Sequence, residues 1–168
     1  MRRINIFVFP LLFATLTACS QGDVKSTKVP HAPTVGSFPA AKPDCYWKKI
    51  LSPEAYDIMV GKGTERPFKN PYHDNHRKGI YVSAATGKPL FASSAKFDSG
   101  TGWPSFFEPI DEKAIMIVKD TSFGTVRDEV IERSTGLHLG HVFDDGPAPT
   151  GKRYCMNFYA LKFIPSRQ

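Results

Sequence analysis

The sequence predicts a mainly β fold: one small domain of antiparallel strands with short helices at its edge. Its 13 glycines and 14 prolines punctuate the chain too often for long helices. From residue 114 on, apolar and polar residues alternate in strand-length runs between turns. Nowhere in that region does a helix-length period of 3.6 appear. A chain of 168 residues that is 41% apolar, with 13 Phe, has material for one full core and little for a second.

Residues 1–18 are expected to be a signal peptide. Arg2 and Arg3 precede a short apolar run from Ile4 to Leu16, too short to span a bilayer comfortably. The run ends in Leu16-Thr17-Ala18-Cys19, which resembles the lipobox of bacterial lipoproteins. That resemblance implies cleavage before Cys19, lipidation of its thiol and anchoring in the cell envelope. The domain is expected to face the periplasm, with the choice of inner or outer membrane open. Several acyl chains on Cys19 would anchor stably where a single chain holds only marginally. Residues 19–43, rich in Ser, Thr, Lys, Pro and Ala, read as a flexible tether, and the domain as 44–168. Losing Arg2 and Arg3 takes the net charge from +6 to +4. No basic run lies in the domain, so nucleic acid is not expected as a partner.

Within the domain, Ser52-Pro53-Glu54 starts a helix: a hydroxyl at the N-cap, Pro at the first helical position, an acid in the first turn. Gly61 and Gly63 end it. Strands follow at Gly79–Val82 and Pro89–Phe91, joined through Thr86-Gly87-Lys88 as a hairpin. Two glycines and a proline around Trp103 form a loop that holds the indole, either in the core or with one face exposed. Further strands are expected at Ala114–Val118, Thr125–Val130, His138–Phe143 and Arg153–Phe163.

The last of these carries the most chemistry. A period of two puts Arg153, Cys155 and Asn157 on one face, with Tyr154, Met156 and Phe158 turned into the core. A guanidinium beside a thiol lowers its pKa and favours the reactive thiolate. A buried structural cysteine is the alternative, but Arg and Asn at its flanks suit an apolar interior poorly. His138 and His141 lie three apart, so a regular strand points them to opposite faces. They converge only if Gly140 carries a bulge. A zinc site there lacks further cysteines nearby, and proton supply to Cys155 is the better reading.

The segments GTERPF, KFDSGTGWPSF, LHLGHVFDDGPAPTG and RYCMN, in this order, resemble the peptide methionine-R-sulfoxide reductases of the B type, from about Leu51 to Phe163. The resemblance implies a β-tent-like fold of two antiparallel sheets and reduction of the R epimer of methionine sulfoxide in oxidised proteins. By position, Cys155 is the nucleophile, left as a sulfenic acid when the sulfoxide becomes methionine. His138 and His141 bind and protonate the sulfoxide oxygen; Asp145, Arg153 and Asn157 position that proton network; Trp103 is the wall for the S-methyl group. Many members hold structural zinc by two Cys-x-x-Cys pairs. Ser83, Thr86, Glu132 and Thr135 stand at those positions, so no metal or other cofactor is expected.

The usual resolving cysteine is Thr101 here. Apart from Cys19, the chain has two cysteines, Cys45 and Cys155. Cys45 is therefore the candidate to resolve the sulfenic acid, with a thioredoxin-like reductant behind it. A permanent structural disulfide between the two is the alternative, although it would silence Cys155. The implied role is repair of oxidised proteins in the envelope by a monomer. The rival is an inactive binding module on the same fold.

Overall fold

The computed structural model describes residues 36–167; the expected signal peptide and Cys19 lie outside them. Two sheets carry the domain. β1 (Gly79–Ser83), β2 (Pro89–Ala92) and β9 (Leu161–Pro165) form a three-stranded sheet in the order β2-β1-β9. A six-stranded sheet runs β3-β4-β8-β7-β6-β5. Its members are β3 (Lys96–Phe97), β4 (Ser105–Phe106), β5 (Ile115–Asp120), β6 (Arg127–Glu132), β7 (His138–Phe143) and β8 (Arg153–Met156). Every pairing is antiparallel.

The inner faces of the two sheets make the core. Phe91 on β2 stacks on Phe106 of β4, centroids 4.5 Å apart, and Tyr81 on β1 meets Phe106 edge-on at 5.0 Å. Leu90, Leu137, Leu139 and Met156 are fully buried beside them. Burying each such side chain contributes roughly 1.5–3 kcal/mol. Helix α1 (Asp44–Ile50) was not foreseen. It contributes Trp47, whose indole N–H donates to the Lys42 carbonyl at 2.9 Å. Helix α2 (Pro53–Met59) begins as expected, with Ser52 Oγ accepting from the Ala55 amide at 3.1 Å.

Three boundaries differ from the sequence reading. The ordered chain starts before Asp44: Ala41 is buried, and Ala40 donates to the Ser134 carbonyl. The end of the expected tether thus lies on the domain. Next, β3 and β4 are two-residue strands, defined by pairing partners distant in sequence. Finally, the expected strand Arg153–Phe163 is two strands. A short 3-10 turn at Phe158–Ala160 breaks it, and the chain passes from the six-stranded sheet to the three-stranded one.

Candidate active site

Cys155 sits in the interior strand β8, paired with Ser105 of β4 on one side and His141 of β7 on the other. Tyr154 and Met156 are buried beneath it, as the alternation requires. Its thiol is free and partly exposed. It opens on a cavity of about 130 Å³ lined by Thr64, Trp103, Arg127, Gly140, His141, Phe143, Cys155 and Asn157. The Trp103 indole is half-buried and anchored by its N–H to the Glu65 carbonyl at 3.2 Å. An apolar wall thus faces a nucleophilic sulfur and a histidine.

β7 brings the two histidines together by a bulge. Val130 pairs with Gly140 and Ile131 with His138, so Leu139 is the extra residue. The extra residue turns His138 and His141 to one side, their rings 5.3 Å apart. Gly140 serves a different purpose from the one expected: a Cβ there would collide with the Cys155 carbonyl oxygen. Glycine lets β7 lie close to β8 at the nucleophile.

Each ring is held by a carboxylate that sequence reasoning missed. His141 Nε2 lies 3.0 Å from Asp120 Oδ2, and Arg127 donates to the same oxygen at 2.7 Å. Burial pushes the Asp120 carboxyl up, but hydrogen bonds from Ser122, His141 and Arg127 outweigh it and hold Asp120 ionised. Burial lowers the pKa of His141, and its Asp120 bond only partly offsets this, so the ring is neutral at pH 7. Its Nε2–H then donates to Asp120, leaving Nδ1 as the acceptor.

His138 does not line the cavity. It is buried behind Asn157, whose Nδ2 lies 3.2 Å from Nε2, while Nδ1 lies 2.8 Å from Glu129 Oε1. Asp145 is also outside the cavity and largely exposed. It holds the Arg153 guanidinium in two bonds of 2.8 Å, and Arg153 packs over Phe143 at 4.4 Å. Arg153 still pulls the thiol's pKa down, but less than burial raises it. Burial pushes the Cys155 thiol up and outweighs the opposing pull of Arg153, Thr101 and Ser105. The resting group is therefore a thiol, where the sequence argued for a thiolate.

Thr101 Oγ1 lies 4.0 Å from Cys155 Sγ, within a hydroxyl chain through Ser99 to Ser105. Cys45 is exposed on α1, and Cys155 is a free thiol, so the two are not joined in this structure. Neither side chain could be placed by local pattern, because both relations depend on the tertiary fold.

The four positions matched to zinc ligands hold a different arrangement. Glu132 is fully buried and accepts from Ser83 Oγ at 2.7 Å, Thr86 Oγ1 at 2.8 Å and Ser134 Oγ at 2.7 Å. Thr135 Oγ1 accepts from the Leu137 amide. Hydroxyls and a carboxylate already saturated by them do not fit a tetrahedral zinc site, which takes thiolate or imidazole. Among the described residues no group of three or more His, Cys, Asp or Glu could hold a metal ion, and no helix is long and apolar enough to cross a membrane.

Comparison with known proteins places this geometry. A family model described as the SelR domain matches residues 51–165. A protein named peptide methionine sulfoxide reductase MsrB from Methanosarcina barkeri is 53% identical over 117 residues, 70% of this chain and 82% of that protein. The protein of the same name from Thiobacillus denitrificans is 53% identical over 124 residues, 74% of this chain and 94% of its own. The Agrobacterium fabrum one is 49% identical over 124 residues, 74% of this chain and 92% of its own.

Proposed function

We propose, from the premise that this chain belongs to the peptide methionine sulfoxide reductase B family, a specific assignment of roles for its thiol-dependent reduction of methionine-R-sulfoxide. The observation that carries it is the free Cys155 thiol opening on the cavity that Trp103 and His141 line. The substrate's S-methyl group packs on Trp103, which turns the sulfoxide sulfur toward Cys155 Sγ. His141 takes the thiol proton on Nδ1 as the sulfur attacks and returns it to the sulfoxide oxygen. The oxygen passes to Cys155 as a sulfenic acid and methionine leaves, so atoms and protons balance without an added reductant in this step. Asn157 and the Asp145–Arg153 pair hold the surroundings in place, with His138 behind Asn157.

A thiol then converts the sulfenic acid to a disulfide, releasing water, and a thioredoxin-like dithiol reduces that disulfide. Cys45 is the proposed resolving thiol. Exported and lipid-anchored through Cys19, the domain acts as a monomer on oxidised proteins of the envelope and needs no zinc. The complete constellation of nucleophile, histidines and aromatic wall favours an active enzyme over a binding module.

Separate R- and S-sulfoxide peptides, assayed with dithiothreitol, test the assignment. Turnover of the R epimer alone, abolished in Cys155→Ser, is expected; no turnover by folded protein with a free Cys155 would leave the binding module. For the resolving step, prereduced protein is given one equivalent of R-sulfoxide peptide without reductant and examined by mass spectrometry. A Cys45–Cys155 bond is the expected product, and its absence would assign reduction of the sulfenic acid directly to the external thiol.

A further inference from the structure

Behind the cavity a line of polar side chains runs from Asn157 to the protein surface. Asn157 Nδ2 lies 3.2 Å from His138 Nε2, His138 Nδ1 lies 2.8 Å from Glu129 Oε1, and Glu129 Oε2 accepts from Lys62 Nζ at 2.8 Å. Glu129 and His138 are each 2% exposed and Lys62 61%. Only Asn157 of the four lines the cavity.

Two independent neighbours settle the protonation of this line. Asn157 Nδ2 also donates to the Leu139 carbonyl at 3.3 Å, and a carbonyl can only accept. The atom beside His138 Nε2 is therefore the amide donor, and Nε2 must be the acceptor. Nδ1 then carries the proton and donates it to the Glu129 carboxylate. The Lys62 ammonium gives that carboxylate a second, cationic partner. Lys62 also sits at φ 55°, a left-handed backbone position between Gly61 and Gly63 where glycine would rest more easily. From that position the Lys62 side chain reaches a buried carboxylate 67 residues away.

We infer that Glu129 and Lys62 are positioning residues for the reduction: they hold His138 as the Nδ1–H tautomer, and His138 in turn fixes the Asn157 amide at the cavity wall. The inference rests on the reading of Cys155 and its cavity as the catalytic site. Asn157 follows Cys155 by two residues, and its own amide donates to the Leu139 carbonyl. A swing of its side chain would therefore alter the cavity without moving the backbone.

The test combines kinetics on an R-sulfoxide peptide with ¹⁵N NMR of the His138 ring, whose two-bond couplings report which nitrogen is protonated. Wild type is expected to show one neutral imidazole protonated at Nδ1. In Glu129→Gln that single pattern is lost and kcat falls about tenfold to a hundredfold, by analogy with loss of the carboxylate behind a metal-bound histidine, with KM within about twofold. Lys62→Gly suits the backbone yet removes the ammonium. It is expected to lose the pattern and show a smaller fall in kcat, and Lys62→Arg to restore both. A folded Lys62→Gly with wild-type kcat and an unchanged ring would overturn the inference, even if Glu129→Gln fails to fold. An inactive wild type whose ring shows the Nδ1–H pattern, lost in Glu129→Gln and Lys62→Gly, would instead sink the catalytic reading and leave the tautomer assignment standing.

Discussion

The resting Cys155 group is a half-buried thiol, and that sets how it meets reagents. Its pKa lies above the ordinary thiol value because burial disfavours the thiolate more than Arg153, Thr101 and Ser105 favour it. The ionised fraction is therefore small at neutral pH and grows only as pH climbs through the alkaline range. Alkylation by iodoacetamide should accelerate with pH well past neutrality. Arg153→Met, which removes a stabiliser of the thiolate, should shift that rise to still higher pH; a profile already flat at pH 7 would contradict the burial argument. A peptide sulfoxide seated in the cavity brings its own oxygen as proton acceptor, which iodoacetamide lacks. The sequence made Arg153, Cys155 and Asn157 visible as one face, because alternation is local. It could not reveal Glu129 or Asp120, which come from β6 and β5 and meet the histidines only through sheet pairing.

Among the elements, β7 decides the site. Its bulge at Leu139 aims both histidines to one side, and its glycine admits β8 at van der Waals distance. Gly140→Ala would push a methyl into the Cys155 carbonyl, where backbone on both sides has little room to yield. Overpacking of this kind costs about 1–3 kcal/mol. Urea denaturation should show that loss, together with a fall in kcat larger than any global unfolding accounts for. A variant as stable and active as wild type would place the flexibility elsewhere. The long strands were legible because each alternates over four or more residues. The break after Met156 was not, since apolar residues continue through the 3-10 turn and only the change of sheet partner marks it.

Across the whole molecule, the Glu132 cluster ties the hairpin of β1 and β2 to the turn between β6 and β7, and thus one sheet to the other. Glu132→Ala strands three hydroxyls, two of them spanning the sheets, and unsatisfied buried groups cost roughly 1–3 kcal/mol each. A lower Tm in that variant, with wild type unmoved by EDTA, is the expected pair of results; a drop in wild-type Tm on chelation would contradict a fold without metal. The sequence showed that ligand residues of a zinc site were missing. It did not show that the same positions rebuild the tie from oxygen alone, because Ser134 lies outside the matched positions.

Cys155 lies mid-sheet, paired on both sides by β4 and β7, so the sulfur proposed to take the oxidant is mounted on an interior strand, the kind of element expected to open late. Wear at that atom and wear of the scaffold are therefore uncoupled. On the proposed chemistry, a molecule whose sulfur has been carried past the sulfenic stage should keep its shape, and an ageing population of this protein should go silent well before it comes apart.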